Sequence, residues 1–267
     1  MVPDGPAGRP SAGVVTGGDS SPDLQGAGGQ RGVVAAIVGF AVGYLLSALA
    51  VTAVGALAGY HGRSGEAIPL SVLAAGESAL WVGLVATALK VSRDHGSGNV
   101  VRDFGWRIGA WWDLPVGAAV GVASQYGLIR LLYLPFEHVD HHLSQKINAP
   151  AARDTAAVHS QPSLVLVLLL LAVGAPLVEE LFFRGLLLGS LRGVFAAAGR
   201  VLSVGAPLVL SALAFALAHF EAVQFLGLAA FGVVLAAMAW RWDRLGPSIA
   251  AHATFNASAV ISITHLH

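Results

Sequence analysis

Leu164-Val-Leu-Val-Leu-Leu-Leu-Leu-Ala-Val-Gly-Ala-Pro-Leu-Val178 is the most apolar run of the chain, and Glu179-Glu-Leu-Phe-Phe-Arg184 follows it directly. Together with the apolar residues that continue to about residue 188, this run predicts a membrane-spanning helix over 163–188. One charge at the centre of such a helix costs about 2.5–3.5 kcal/mol on insertion scales. Charged groups persist there when they pair, line a wet cavity or take part in chemistry, and the rest of the sequence has to decide which of these applies.

The composition indicates an integral membrane protein. Of the 267 residues, 55% are hydrophobic and only 11% are charged, which is far from the balance of a soluble domain. The formal net charge is zero, so we expect no nucleic-acid partner. The chain has no cysteine, which excludes disulfides, thiolate–metal sites and a cysteine nucleophile.

Hydropathy predicts an all-α fold, a polytopic transmembrane helix bundle of about seven spans in a multi-pass protein of the cell membrane. The lipid bilayer is therefore an expected partner. The predicted spans are approximately 33–59, 68–90, 113–135, 163–188, 203–220, 222–240 and 247–264.

The distribution of Lys and Arg between the loops predicts that the N-terminus is cytoplasmic and the C-terminus is outside, because cytoplasmic loops carry an excess of these residues. With the N-terminus inside, the inner flanks hold most of the basic residues near the spans. The inner residues are Arg31, Lys90, Arg93, Arg102, Arg107, Arg192, Arg200, Arg241 and Arg244, and the outer ones are Arg63, Lys146 and Arg153.

Three regions are predicted. Residues 1–30 are rich in Gly, Pro, Ser and Asp and are expected to form a disordered N-terminal tail, because they cannot bury enough apolar surface to order themselves. Residues 31–160 hold N-terminal transmembrane helices to which the sequence assigns no function. Residues 161–264 hold the remaining spans and the polar side chains that point to chemistry.

The two adjacent carboxylates after the apolar run are predicted to have different roles. Glu180 and Arg184 are four residues apart on a helix and form an ion pair in the favoured orientation. Glu179 is rotated by about 100° from Glu180. We therefore interpret Glu180–Arg184 as a structural ion pair and expect Glu179 to face the bundle interior, beside a helix that Gly174 and Pro176 can bend.

Two later spans carry further polar groups. Phe215 and His219 share one face of the fifth span, and His252 and Asn256 share one face of the seventh. Each of these groups taken alone fits a hydrogen bond between helices. A carboxylate, two imidazoles and an amide on three successive apolar segments favour a single functional site.

The three motifs resemble those of the CAAX prenyl protease type II and bacteriocin-processing (CPBP, or Abi) intramembrane proteases. The resemblance rests on Glu179-Glu180-x-x-x-Arg184, Phe215-x-x-x-His219 and His252-x-x-x-Asn256, in that order over about residues 160–260. It implies an intramembrane endopeptidase that hydrolyses a peptide bond of a membrane-associated peptide or protein. It also implies that Glu179 and His219 activate water and that His252 and Asn256 bind the oxyanion.

The cofactor is left open by the sequence. Glu179, His219 and His252 could supply the three ligands of a catalytic Zn²⁺ ion with an open position for water. A metal-free glutamate mechanism is equally compatible with the resemblance, and we prefer it.

Straight vertical helices would place His219 near the outer face, far from Glu179 and His252. The site therefore requires either a tilted fifth span that starts later than residue 203 or a segment 189–203 that enters the membrane. Two other functions also remain open. One is a non-enzymatic scaffold, immunity or chaperone protein that keeps the polar cluster for helix packing. The other is a transporter with a proton relay through Glu77, Glu179 and the two histidines.

Overall fold

The structure is a computed structural model that describes residues 22–63 and 66–264, and all regular elements in that part of the chain are helices. The all-helical prediction is confirmed. Helix α6 is continuous but has wider, π-helical turns at Leu168–Gly174 and Glu180–Leu187. The helices are α1 Pro22–Ala58, α2 Leu70–His95, α3 Val100–Phe104, α4 113–137, α5 Leu143–Thr155, α6 Gln161–Val194, α7 Gly199–Ala218, α8 Phe225–Trp242 and α9 Gly246–Thr264.

Five helices, α1, α2, α6, α7 and α8, are long and apolar enough to cross a membrane. The third and seventh predicted spans fall on α4 and α9, which are also helical and pack against each other. Their polar residues, such as Arg130, His252 and Asn256, make these two helices less apolar. The multi-span prediction is thus confirmed, whereas the cytoplasmic N-terminus stays a prediction.

Most of the predicted disordered tail, residues 1–21, lies outside the described residues. Helix α1 begins at Pro22, so its first turns overlap the end of the segment 1–30 that was assigned to the tail.

Pro176 explains the first wide turn of α6. The N–H of Ala175 donates to the carbonyl of Leu170 five residues earlier, as in a π-turn. The next carbonyl, that of Leu171, would need the N–H of Pro176, which proline lacks. Gly174 on the same segment lies against the Trp81 ring of α2, where a Cβ atom would clash. The expected bend is therefore a local widening of an otherwise continuous helix.

The path of α9, which carries His252 and Asn256, is fixed first by α4. Gly117 and Gly121 form a Gly-x-x-x-Gly pair on α4, a spacing that lets two helices approach closely. A Cβ atom on Gly117 would lie 2.5 Å from the Cβ of Ala250, and one on Gly121 would overlap the carbonyl oxygen of Ala251.

The start of α9 is fixed by polar contacts. The guanidinium of Arg244 donates to both carboxylate oxygens of Asp113, over 2.9 and 2.7 Å. The N–H groups of Leu245 and Gly246 donate to the carbonyls of Gly105 and Arg107, over 2.9 and 3.0 Å. These hydrogen bonds hold the α8–α9 connection against the loop after α3 and the first residue of α4.

We predict that Gly121→Ala destabilises the protein by about 1–3 kcal/mol, because the added methyl group pushes α9 away from α4. Unfolding in detergent micelles followed by circular dichroism measures the change. Gly127→Ala on the same helix is the control, since a Cβ atom there meets nothing within 4 Å. Equal stability of the two variants would show that the close α4–α9 contact is not required.

Candidate functional site

The site is built around a buried ion pair that a histidine joins. Arg184 Nη1 donates to Glu180 Oε1 over 2.7 Å, and His252 Nδ1 lies 3.0 Å from the same oxygen. Glu180, Arg184 and His252 are 0%, 3% and 2% exposed. Because a carboxylate only accepts hydrogen bonds, Nδ1 of His252 carries a proton. The Glu180–Arg184–His252 network therefore ties α6 to α9 and fixes the orientation of the imidazole.

Aromatic rings surround this charged network. The Arg184 guanidinium lies 4.2 Å from the Phe215 ring centroid, a cation–π distance. The His252 ring packs edge-on against Phe215 at 5.4 Å and against Phe231 at 5.9 Å. Phe215, which the sequence singled out only as part of a motif, thus contacts both the guanidinium and the imidazole.

Glu179 occupies the other side of His252. Its Oε2 lies 3.8 Å from His252 Nε2, which is longer than a hydrogen bond. This oxygen is buried and has no hydrogen-bond partner among the described residues, although the Glu179 side chain as a whole is 14% exposed. His252 is thus held between two carboxylates. Glu180 is engaged through Oε1 alone, and its Oε2, like that of Glu179, has no hydrogen-bond partner among the described residues.

His219 follows the last residue of α7. Its Nδ1 is 2.8 Å from the carbonyl of Phe215, so Nδ1 donates and Nε2 is the open nitrogen. The imidazole packs against the Phe215 ring at 4.7 Å. No hydrogen bond joins His219 to Glu179 within the described chain, so the structure brings these two predicted partners to one region without direct contact.

The depth of His219 is set by the register of α6 and α7. Ser211 Oγ donates to the Phe183 carbonyl over 2.9 Å, and the Phe215 and Phe183 rings meet at 5.5 Å. Helices α6 and α7 are antiparallel, because their connection is short. Glu179 lies one turn before Phe183, and His219 lies one turn after Phe215. Both residues are therefore displaced in the same direction from the paired phenylalanine rings. Both residues therefore lie at about the same depth.

Of the two routes expected for His219, a fifth span that starts later than residue 203 is not observed. The other, a segment 189–203 that enters the membrane, agrees with the place of most of this segment in two helices long and apolar enough to span it. Helix α6 continues to Val194 instead of ending near residue 188, and α7 begins at Gly199 instead of after residue 203. The segment 189–203 is thus mostly the end of one helix and the start of the next, joined by residues 195–198. The longer helices remove the depth mismatch.

The Asn256 side chain forms a hydrogen bond with the backbone of α6. Its Nδ2 donates over 2.8 Å to the carbonyl of Leu171, the carbonyl that loses its π-turn donor at Pro176. An amide carries two N–H donors, so this contact uses one of them and leaves the other. The contact also sets the rotation of α9 relative to α6.

The alternative zinc set does not fit this arrangement. Within residues 22–63 and 66–264, no three His, Asp or Glu side chains are placed as a group that could hold a metal ion. Glu179 and His252 approach each other, whereas His219 is turned toward its own helix. We therefore derive no step through a metal.

An apolar cavity of about 710 Å³ lies between α1, α6, α7 and the α7–α8 connection, and its lining includes Ala218 and Phe220 but not His219. Its wall includes four phenylalanine side chains, Phe182, Phe183, Phe220 and Phe225. Among the described residues, the one charged residue in the lining is Glu221. The cavity was not foreseen from the sequence, because residues from four separate segments form it.

Sequence reasoning also missed the second role of Glu180. Helical spacing identified its pairing with Arg184, but a contact with His252, 72 positions further along the chain, has no local signal. The one sequence feature that favours a contact between Glu180 and His252 is that both lie in apolar spans with few other polar groups.

The arrangement defines a polytopic helical membrane protein with a buried carboxylate–imidazole site. Residues 161–258 match the family model described as Type II CAAX prenyl endopeptidase Rce1-like, so the predicted resemblance is confirmed for this segment. Searches of curated proteins and of solved structures gave no match. The match indicates the fold of CAAX-type intramembrane endopeptidases, a protease family, and the matched segment contains all seven residues of the three motifs.

We predict that Arg184→Met destabilises the protein by about 3–5 kcal/mol, because it leaves the Glu180 carboxylate buried without its cation. Thermal unfolding in detergent or nanodiscs measures the loss. The double variant Glu180→Gln/Arg184→Met should recover part of it. Lys90→Met, which breaks an exposed pair with Asp94, is the control and should change much less. An Arg184→Met effect no larger than the control would contradict a structural role of the buried pair.

Proposed function

We propose that the protein is an intramembrane endopeptidase in which Glu179 is the general base. The observation that carries this proposal is the buried, unpartnered Oε2 of Glu179, 3.8 Å from Nε2 of His252. A buried polar atom without a partner requires an explanation, and a water molecule that contacts this oxygen would provide one.

The proposed reaction begins when Glu179 takes a proton from water and the resulting hydroxide adds to the scissile carbonyl. The tetrahedral intermediate then collapses, the C–N bond breaks, and the departing amine receives the proton from the Glu179 carboxyl. His219, at the same depth, would hold the attacking water through its open Nε2. The family match supports the reaction class, and the geometry of Glu179 supports its role as base.

His252 and Asn256 are proposed to bind the oxyanion. His252 Nδ1 is committed to Glu180, so the ring would donate to the oxyanion through a proton on Nε2. Asn256 has one N–H left after its bond to Leu171. Donors held in place before reaction are effective because they need no reorganisation as charge develops.

We propose that this mechanism is metal-free, because no three His, Asp or Glu side chains of the described residues are placed as a group that could hold a metal ion. The substrate is proposed to be a membrane-associated peptide or protein with an apolar part. The apolar cavity, whose wall is almost wholly apolar and includes Ala218 and Phe220 on either side of His219 in the chain, supports a substrate with such a group.

A non-enzymatic scaffold remains the second candidate, and a specific observation favours it. Asn256 and Ser211 both donate to backbone carbonyls of α6, which is how polar side chains join helices in membranes. In that case Glu179 would matter for packing and not for hydrolysis.

We predict that Glu179→Gln lowers the rate of peptide hydrolysis by about 10²–10⁴-fold, the usual contribution of a general base. The purified protein in proteoliposomes is incubated with a set of membrane-anchored reporter peptides, and mass spectrometry detects the products. His219→Ala should also lower the rate of peptide hydrolysis.

The matched control is Glu137→Gln, which removes the same charge at a carboxylate that accepts a hydrogen bond from Ser144 and that makes no hydrogen bond or ion pair to the site among the described residues. Cleavage by both site variants at the parent rate would refute the proposed mechanism. No cleavage by the parent, together with loss of thermal stability in Glu179→Gln, would favour the scaffold.

A further inference from the structure

A second cavity, of about 330 Å³, lies between α3, the C-terminal half of α6 and the α8–α9 connection. It is separate from the apolar cavity, with no lining residue in common. Its lining includes five arginines but only two acidic residues, Asp103 and Asp243. The arginines are Arg102, Arg107, Arg184, Arg192 and Arg244.

Three of the five arginines already have carboxylate partners. Arg184 pairs with Glu180, Arg192 with Asp243 and Arg244 with Asp113. Arg102 and Arg107 have no ion-pair partner in the part of the chain that the structure describes, and both are exposed. The acidic Asp103 is engaged by the hydroxyl groups of Ser92 and Ser97. The cavity therefore has an excess of positive charge.

The inner wall of the cavity carries a buried donor. Arg184 lines the cavity although it is only 3% exposed, and its Nε has no hydrogen-bond partner among the described residues. Gly185 and Gly189 line the same face of α6. A Cβ atom on Gly185 would lie 2.8 Å from the Cβ of Phe104, so the glycine allows α3 to approach this wall closely.

We propose that this cavity is a binding site for a phosphate-bearing anion. Guanidinium groups bind phosphate oxygens through paired, charge-assisted hydrogen bonds, and Arg102 and Arg107 are free to supply them. The volume suits a phosphate or glycerophosphate group and is too small for an entire lipid. The bound anion would neutralise the excess charge without entering the Glu179 site.

The surroundings place the cavity at the level of lipid headgroups. The Trp112 ring lies 4.7 Å from the Arg244 guanidinium, and the neighbouring Trp111 is 83% exposed. Exposed Trp side chains are typical of the membrane–water interface, and basic pockets between spanning helices at that level bind anionic headgroups. A lipid headgroup and a free phosphate share the chemistry, so the test has to separate them.

The test compares the intact protein with the double variant Arg102→Gln/Arg107→Gln. In one arm, native mass spectrometry in neutral detergent follows binding of phosphatidylglycerol, with phosphatidylcholine as the uncharged reference. In the other arm, inorganic phosphate and pyrophosphate are titrated in phosphatidylcholine nanodiscs at constant ionic strength. The control is Arg93→Gln/Arg200→Gln, which removes equal charge from exposed residues that do not line the cavity.

Saturable binding in either arm, weakened at least about tenfold by the Arg102/Arg107 double variant and little changed in the control, supports the site. Binding of phosphatidylglycerol alone identifies the anion as a lipid headgroup, and binding of free phosphate identifies a soluble ligand. Equal binding by the two double variants, or no saturable binding in both arms, overturns the proposal.

Discussion

The buried pair of Glu180 and Arg184 is the interaction on which the rest of the structure depends. Two opposite charges in an apolar bundle are stable only when geometry and further hydrogen bonds compensate for the loss of water. Here the carboxylate is shared with His252 of α9, and the guanidinium lies on the Phe215 ring of α7. Removing any partner exposes the remaining charge to an apolar environment, so α6, α7 and α9 must keep their relative positions.

Helix α6, which carries the buried ion pair, departs from regular α-helical geometry. Its two π-helical stretches lie before and after Glu179, and π-turns occur frequently at functional sites. Pro176 leaves the Leu171 carbonyl without its backbone donor, and Asn256 replaces that donor. The amide therefore has a structural contact and, in the proposed mechanism, a second N–H for the oxyanion, so hydrolysis and packing are compatible roles for it.

The part of the chain before the matched segment supports the site through three contacts. Trp81 of α2 packs on Gly174, and Trp106 donates its indole N–H over 3.2 Å to the carbonyl of Leu177. Asp113 of α4 holds Arg244 at the start of α9. The N-terminal helices, to which the sequence assigned no function, thus contact α6 within a few residues of Glu179 and fix the origin of the helix that carries His252.

Arg184 also lies between two regions of different chemistry. One side of it faces the carboxylate–imidazole site, and the other contributes to the wall of the arginine-lined cavity. The side chain has several donors in a rigid plane, and the structure uses Nη1 for Glu180 while Nε remains open. The same buried residue can therefore stabilise the proposed catalytic core and take part in anion binding next to the membrane surface.

The sequence by itself determined the features that depend on local spacing. Apolar length predicted the helices, the i, i+4 spacing predicted the Glu180–Arg184 pair, and three ordered motifs predicted the family resemblance. The sequence could not show that α6 reaches Val194 and that α7 starts at Gly199, since apolar and small residues continue across both boundaries.

Only the tertiary structure decided which polar groups meet. It placed His252 between Glu179 and Glu180, gave Asn256 the Leu171 carbonyl, and turned His219 toward its own backbone. These contacts depend on helix register and rotation, which packing of residues far apart in the chain sets. Local periodicity places a side chain on a face of its helix, but only the packed bundle determines what that face contacts.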